Sequence, residues 1–184
     1  MKDTEKFKEL YFTLQSETDE SSENYQQEKR QKKQRIVRNE FQLEEKYGLP
    51  IIKKQDIDLD CIDLWCWNKA KLNDEDNQHK TIHFFTYDWL FESVYNKPES
   101  VLEKLKQYYA ILTPEFSTYK DMPLILQMYS TFKNRWCGAY WQSQGLKVIP
   151  TINWGTKKSY DCCFTGSFQW DRCAYSLYQF RFLF

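Results

Sequence analysis

The chain is poor in the residues from which common catalytic motifs are built. Its 184 residues include two histidines, five glycines and five prolines. No glycine-rich phosphate loop, no G-x-S-x-G elbow and no H-E-x-x-H pair occurs, which excludes the motif-defined nucleotidases, serine hydrolases and zinc proteases. His79 and His83 are the only imidazoles available as general bases, and His83 falls inside a predicted strand. No apolar run reaches the roughly 18 residues of a membrane span, so no membrane partner is expected. An excess of either charge is also missing: 26 basic residues face 26 acidic ones, which excludes a global basic field for nonspecific nucleic-acid binding.

The charged N-terminus has no apolar core of a secretory signal, which predicts a reduced, cytoplasmic setting and free thiols for the six cysteines. Cys61, Cys66, His79 and His83 have the ligand types for zinc, but CWNKAK lacks the tight-turn residues such sites favour. What the chain does have is aromatic surface. Phe, Trp and Tyr make up 18% of it, including seven Trp, and such rings serve as core-fillers, stacking platforms or interface anchors.

Residues 1–40 read as a charged arm, disordered or helical, because TDESSENYQQEKRQKKQR contains almost nothing to bury. Lys29, Arg30, Lys32, Lys33, Arg35 and Arg38 form its concentrated positive charge, a candidate phosphate contact or a solvated segment balanced by the acids before it. Residues 41–184 read as a single α/β domain, long enough to bury a core.

Within that domain FQLEEKYGLP predicts a short helix stopped by Gly48. IDLDCIDLWCWN is a strand or an irregular packed segment. TIHFFT (81–86) is a strand, with Asp88 as cap of a helix over WLFESVY. Pro98 opens another helix, PESVLEKLKQY, and YAILT (109–113) is the next strand. Asp121 and Pro123 start a long helix over 122–144 that Gly145 stops. LKVIPTI (146–152) is a third strand; KSYDCCF is a helix and CAYSLY a further strand. The alternation predicts a mostly parallel sheet with right-handed crossover helices.

Ligands bind such sheets beyond the carboxyl ends of the strands. Those positions carry Tyr87 and Asp88; Pro114, Glu115, Phe116, Ser117 and Tyr119; and Asn153, Trp154 and Gly155. On the long helix Ile125, Met128, Tyr129, Phe132, Trp136 and Ala139 recur at helical spacing and predict the core-facing stripe. Gln127, Thr131, Asn134 and Trp141 lie along another side, with Arg135 and Gln142 close to it. Amides, an Arg and a Trp where Lys and Glu would mark a solvated face imply residues that tie the fold or bind a polar ligand. Glu115, Asp88 and Ser117 are the candidate reactive groups. Tyr119, Gln127, Asn134, Arg135, Trp141, Gln142, Asn153 and Trp154 are the candidate binding groups.

The motifs F-x-x-D-x-x-F-E, P-E-F-S-x-Y-x-D-M-P, N-R-W-x-G-A-Y-W-Q and V-I-P-T-I-x-W-G carry a resemblance, running from roughly Leu49 to Gly166, to the phage and mobile-element family called domain of unknown function 4417. That family usually has Asp at the place of Glu115 and continues past a fourth strand, whereas this sequence ends in CAYSLYQFRFLF. The expectation is a remodelled C-terminus with apolar surface that wants a partner. The resemblance implies a mobile-element accessory protein acting on a nucleic acid or ribonucleoprotein. Its concrete version is counter-defence inhibition of a host CRISPR–Cas9 nuclease or its guide RNA. The alternatives are a metal-dependent nuclease or phosphodiesterase with Asp88 and Glu115 on magnesium, and a non-catalytic small-ligand binding domain.

Overall fold

The computed structural model describes Arg38, residues 40–58, residues 60–165 and the backbone of Ala174–Tyr175. The chain divides into two units, residues 1–38 and 39–184, and every element below belongs to the second. Of the basic run, Lys29, Arg30, Lys32, Lys33 and Arg35 lie outside the described residues, while Arg38 is buried.

Four strands form one all-parallel sheet in the order β1-β2-β3-β4: Leu64–Cys66, Thr81–His83, Ala110–Leu112 and Val148–Ile149. The connections carry α1 (Ser93–Asn96), α2 (Pro98–Leu105) and α3 (Leu124–Ser143). This is the expected α/β class. Side chains alternate across the sheet. Ile82, Ile111 and Val148 join the main core with Phe84, Phe91, Leu105, Trp136 and Trp141. Ala110, Leu112 and Ile149 face the other way, onto Ile57, Ile62, Phe85 and Tyr109.

The local signals account for most elements. Pro98 opens α2, where its missing N–H costs nothing. Gly145, at φ +83°, ends α3: its N–H bonds the Gln142 carbonyl and the Leu146 N–H bonds that of Trp141, closing the helix as a Schellman motif. Thr156 and Ser159 form a reciprocal capping box for α4 (Lys157–Phe164).

Several expectations are corrected. FQLEEKY is a turn rather than a helix: Leu43 bridges Pro50 across it, and the Glu44 carboxylate accepts the N–H groups of Lys46, Tyr47 and Leu49. Asp88 does not cap a helix; WLFESVY breaks into a 3-10 turn over Asp88–Leu90 and the single turn α1. Asp121 caps nothing, because α3 starts from Pro123 without a side-chain cap. LKVIPTI is two strands, since Pro150 has no N–H to continue the ladder. Before it β4 pairs with β3; after it β5 (Thr151–Ile152) pairs in parallel with β6 (Ala174–Tyr175) in a second sheet.

The largest correction concerns α3. Ile125 is 68% exposed and Tyr129 49%, so the N-terminal part of the expected core stripe faces outward. Gln127, Ser130, Thr131, Asn134 and Arg135 are buried in its place. Only toward the C-terminus do Trp136, Cys137, Ala139 and Trp141 turn apolar groups inward.

Cys137, Cys162 and Cys163 are buried free thiols, whereas free Cys61 is exposed. Burial pushes the Cys162 thiol up to about 12 and that of Cys163 up as well. Native protein treated with iodoacetamide near neutral pH is expected to label at Cys61 and not at these three until denaturant is added, read by peptide mass spectrometry. Labelling of Cys162 in native protein at the rate of Cys61 would show that α4 does not stay packed.

Candidate functional site

The rim beyond the carboxyl ends of β2, β3 and β4 is a belt of hydrogen bonds. Ser117 donates to Asp88 with its hydroxyl at 2.8 Å and its N–H at 3.0 and 3.3 Å, so both carboxylate oxygens are engaged. Ser130 of α3 donates to the Ser117 carbonyl at 3.0 Å, and Asn153 to that of Phe116 at 2.8 Å. Asp88, Ser117 and Asn153 therefore meet on one rim, as their positions after the strands predict.

Behind the belt the polar side of α3 forms a buried hub. Asn134 Nδ2 donates to the Pro114 carbonyl at 2.9 Å and to Thr151 Oγ1 at 2.8 Å. Its Oδ1 accepts Arg135 Nη1 at 2.6 Å. Arg135, 1% exposed, also donates to the carbonyls of Thr151 (3.1 Å), Cys163 (2.6 Å) and Thr165 (3.2 Å). Thr113 and Thr151 close the strand ends: the Thr151 N–H donates to Thr113 Oγ1 at 2.7 Å, and Thr151 Oγ1 donates to the Thr113 carbonyl at 2.9 Å. A helix side lined with amides and a guanidinium thus reaches the carbonyls of Pro114 after β3, Thr151 in β5, and Cys163 and Thr165 at the end of α4.

The remaining predicted residues occupy three other places. Gln127 is buried, with Nε2 on the Met122 carbonyl at 2.7 Å and no hydrogen bond to Oε1 among the described residues. Gly155 passes so close that a Cβ there would lie 2.7 Å from that oxygen and 2.6 Å from the Tyr119 carbonyl. Trp154 packs on Tyr160 and Phe164 of α4, with ring centroids 5.2 and 5.6 Å away. Trp141 lies in the core, stacked on Phe84 at 5.7 Å. Gln142 is not at the rim. It exchanges hydrogen bonds with the Lys53 backbone and donates to Gln55, whose side chain in turn holds Leu146 and Val148 before and within β4. Glu115 is half-buried in the turn after β3 and Tyr119 is exposed.

Sequence reasoning placed Tyr87 on the rim but passed over its stacking partner Trp89. Tyr87 and Trp89, on either side of Asp88, stack at 4.3 Å with planes 8° apart while 65% and 68% exposed. Their i, i+2 spacing around an acidic turn residue was the available signal. Lys133 was also missed; it lies half-buried with Nζ 3.9 Å from the centroid of the Phe116 ring. Among the described residues no group of three or more His, Cys, Asp and Glu side chains is placed to hold a metal ion. Nor is any described helix long and apolar enough to cross a membrane.

The frame is a parallel α/β domain whose rim is tied internally and whose outer edge presents aromatic rings, and the chain belongs to the family described as Domain of unknown function (DUF4417), whose model matches residues 41–178. Its curated relatives include the Gene 1 protein of Mycobacterium phage L5, 42% identical over 104 residues, or 56% of this chain and 45% of that protein. The Gene 1 protein of Mycobacterium phage D29 is 46% identical over 85 residues, or 46% of this chain and 32% of that protein. The chain thus spans less than half the length of these relatives. No solved structure matches it.

Proposed function

We propose that this phage-family protein is a recognition factor acting on single-stranded nucleic acid or a ribonucleoprotein in the cytoplasm of an infected bacterium. Its most concrete role is counter-defence, binding the guide RNA or the guide-loaded form of a host Cas9 nuclease. The observation that carries this reading is the Tyr87–Trp89 stack. Two large rings held flat against each other in solvent are a preorganised platform on which a base adds without ordering flexible side chains. The phage relatives support the mobile-element setting. Recognition is favoured over hydrolysis because Asp88, half of the acid pair a nuclease would use, already gives both oxygens to Ser117.

Trp89→Ala is expected to weaken binding of a labelled single-stranded RNA about tenfold or more, from a stacking contribution of roughly 1–3 kcal/mol per base. Fluorescence anisotropy measures it, alongside Cas9 cleavage assays with wild type and variant. Loss of Cas9 cleavage with intact guide RNA supports recognition. RNA shortened in magnesium and spared by Glu115→Ala would replace this reading with the nuclease, and equal binding by wild type and Trp89→Ala would remove the aromatic platform from it.

A further inference from the structure

Residues of α1, the turn after β3 and the outer side of α3 form a half-open cavity of about 180 Å³, lined by Glu92, Tyr95, Asn96, Phe116, Tyr129 and Lys133. It is smaller than the roughly 300–1,000 Å³ of drug-sized pockets and suits a single small ring. Its walls are aromatic: Tyr95 meets Phe116 edge-on at 6.1 Å and Tyr129 at 6.3 Å. Lys133 reaches over both the Phe116 and the Tyr129 rings, at 3.9 and 5.4 Å. Among the described residues its ammonium makes no hydrogen bond or ion pair, although it is half-buried. Burial holds its pKa below the ordinary lysine value, opposed by the nearby carboxylates of Asp88 and Glu92.

The charge around this cavity is mixed. A phosphate drawn to Lys133 would also meet Glu92 and feel Asp88. A neutral planar ring with acceptors on one edge and donors on another meets no such opposition. We infer that the cavity receives one unstacked nucleobase bearing an exocyclic amine, cytosine by size and pattern; this rests on the nucleic-acid reading above. Glu92 accepts from the amine, Lys133 donates to the ring nitrogen or carbonyl oxygen, and the exposed Tyr129 ring takes one face of the base. Adenine offers the same edge on a larger ring. Uracil puts a carbonyl where Glu92 needs a donor. Trp89 of the exposed Tyr87–Trp89 stack lies three residues before Glu92 in the chain.

Short labelled oligo-rC, oligo-rU and oligo-rA, titrated by anisotropy, separate the outcomes. Oligo-rC is expected to bind about tenfold more tightly than oligo-rU, the order of one matched base-edge contact. Glu92→Gln, which keeps the shape and adds a donor, is expected to shift the preference toward oligo-rU without losing binding. Equal affinity for rC and rU, or a preference for rC unmoved by Glu92→Gln, would overturn the base seat while leaving nucleic-acid recognition in place. Binding of none of the three would overturn both.

Discussion

Arg135→Ala is expected to lower the unfolding free energy by roughly 4–5 kcal/mol, a large share of the 5–15 typical of a domain. The guanidinium serves four acceptors at once: the Asn134 amide oxygen and the carbonyls of Thr151, Cys163 and Thr165. Alanine leaves them in a site closed to solvent, at about 1–3 kcal/mol for each buried polar group left unpaired, and opens a cavity besides. These contributions overlap, so their sum exceeds the expected loss. Arg135→Lys keeps the charge but replaces a planar fork with one ammonium, and is expected to recover only part of the stability. Urea denaturation followed by circular dichroism measures both variants. A loss below about 1 kcal/mol in Arg135→Ala would mean that other donors reach those carbonyls, and the hub would not hold the second sheet to the first.

Trp141→Ala is expected to cost roughly 3–5 kcal/mol, the range for a large buried ring cut back to a methyl group. Its side chain is fully enclosed and stacked on Phe84, at the crossing of α3 with the sheet. Its indole N–H has no hydrogen-bond partner among the described residues. Trp141→Phe therefore removes volume but no hydrogen bond, and is expected to be the milder change. The same pair separates packing from recognition. At a temperature where both variants are folded, RNA affinity should match wild type, in contrast to Trp89→Ala. Lost affinity in folded Trp141→Phe would put Trp141 in contact with the ligand rather than in the core.

Both substitutions fall on residues that the sequence marks as unusual without saying why. Asn134, Arg135 and Gln127 stand out because amides and Arg replace the Lys and Glu of a solvated helix side. Two explanations fit that pattern, ties to the fold or contacts to a ligand. The hydrogen bonds of Asn134 and Arg135 to the turn after β3, to β5 and to α4 supply the first. Spacing alone assigned the stripe Ile125, Met128, Tyr129, Phe132, Trp136 and Ala139 to the core, following the usual rule for an amphipathic helix, and the last three do pack there. The rule fails in the first half of α3 because the helix begins over loops, not over the sheet. Loops present carbonyls, and carbonyls want donors. The displaced apolar residues then make the outer surface on which Tyr129 walls the cavity beside Lys133.

By itself the sequence determined the alternation of strands and helices, the parallel sheet, the helix start at Pro98, the stop at Gly145, and which segments gather on the rim. Each rests on a local cause: a missing N–H, a positive φ, or a run of β-branched and aromatic residues. Tertiary structure alone decided which face of α3 turns inward. It also decided that Asp88 serves Ser117, that β4 and β5 part company, and that Glu92 and Lys133, far apart in the chain, share a cavity. Those outcomes depend on which backbone groups are left unpaired once the short strands have ended, and that is set by the packing of distant segments.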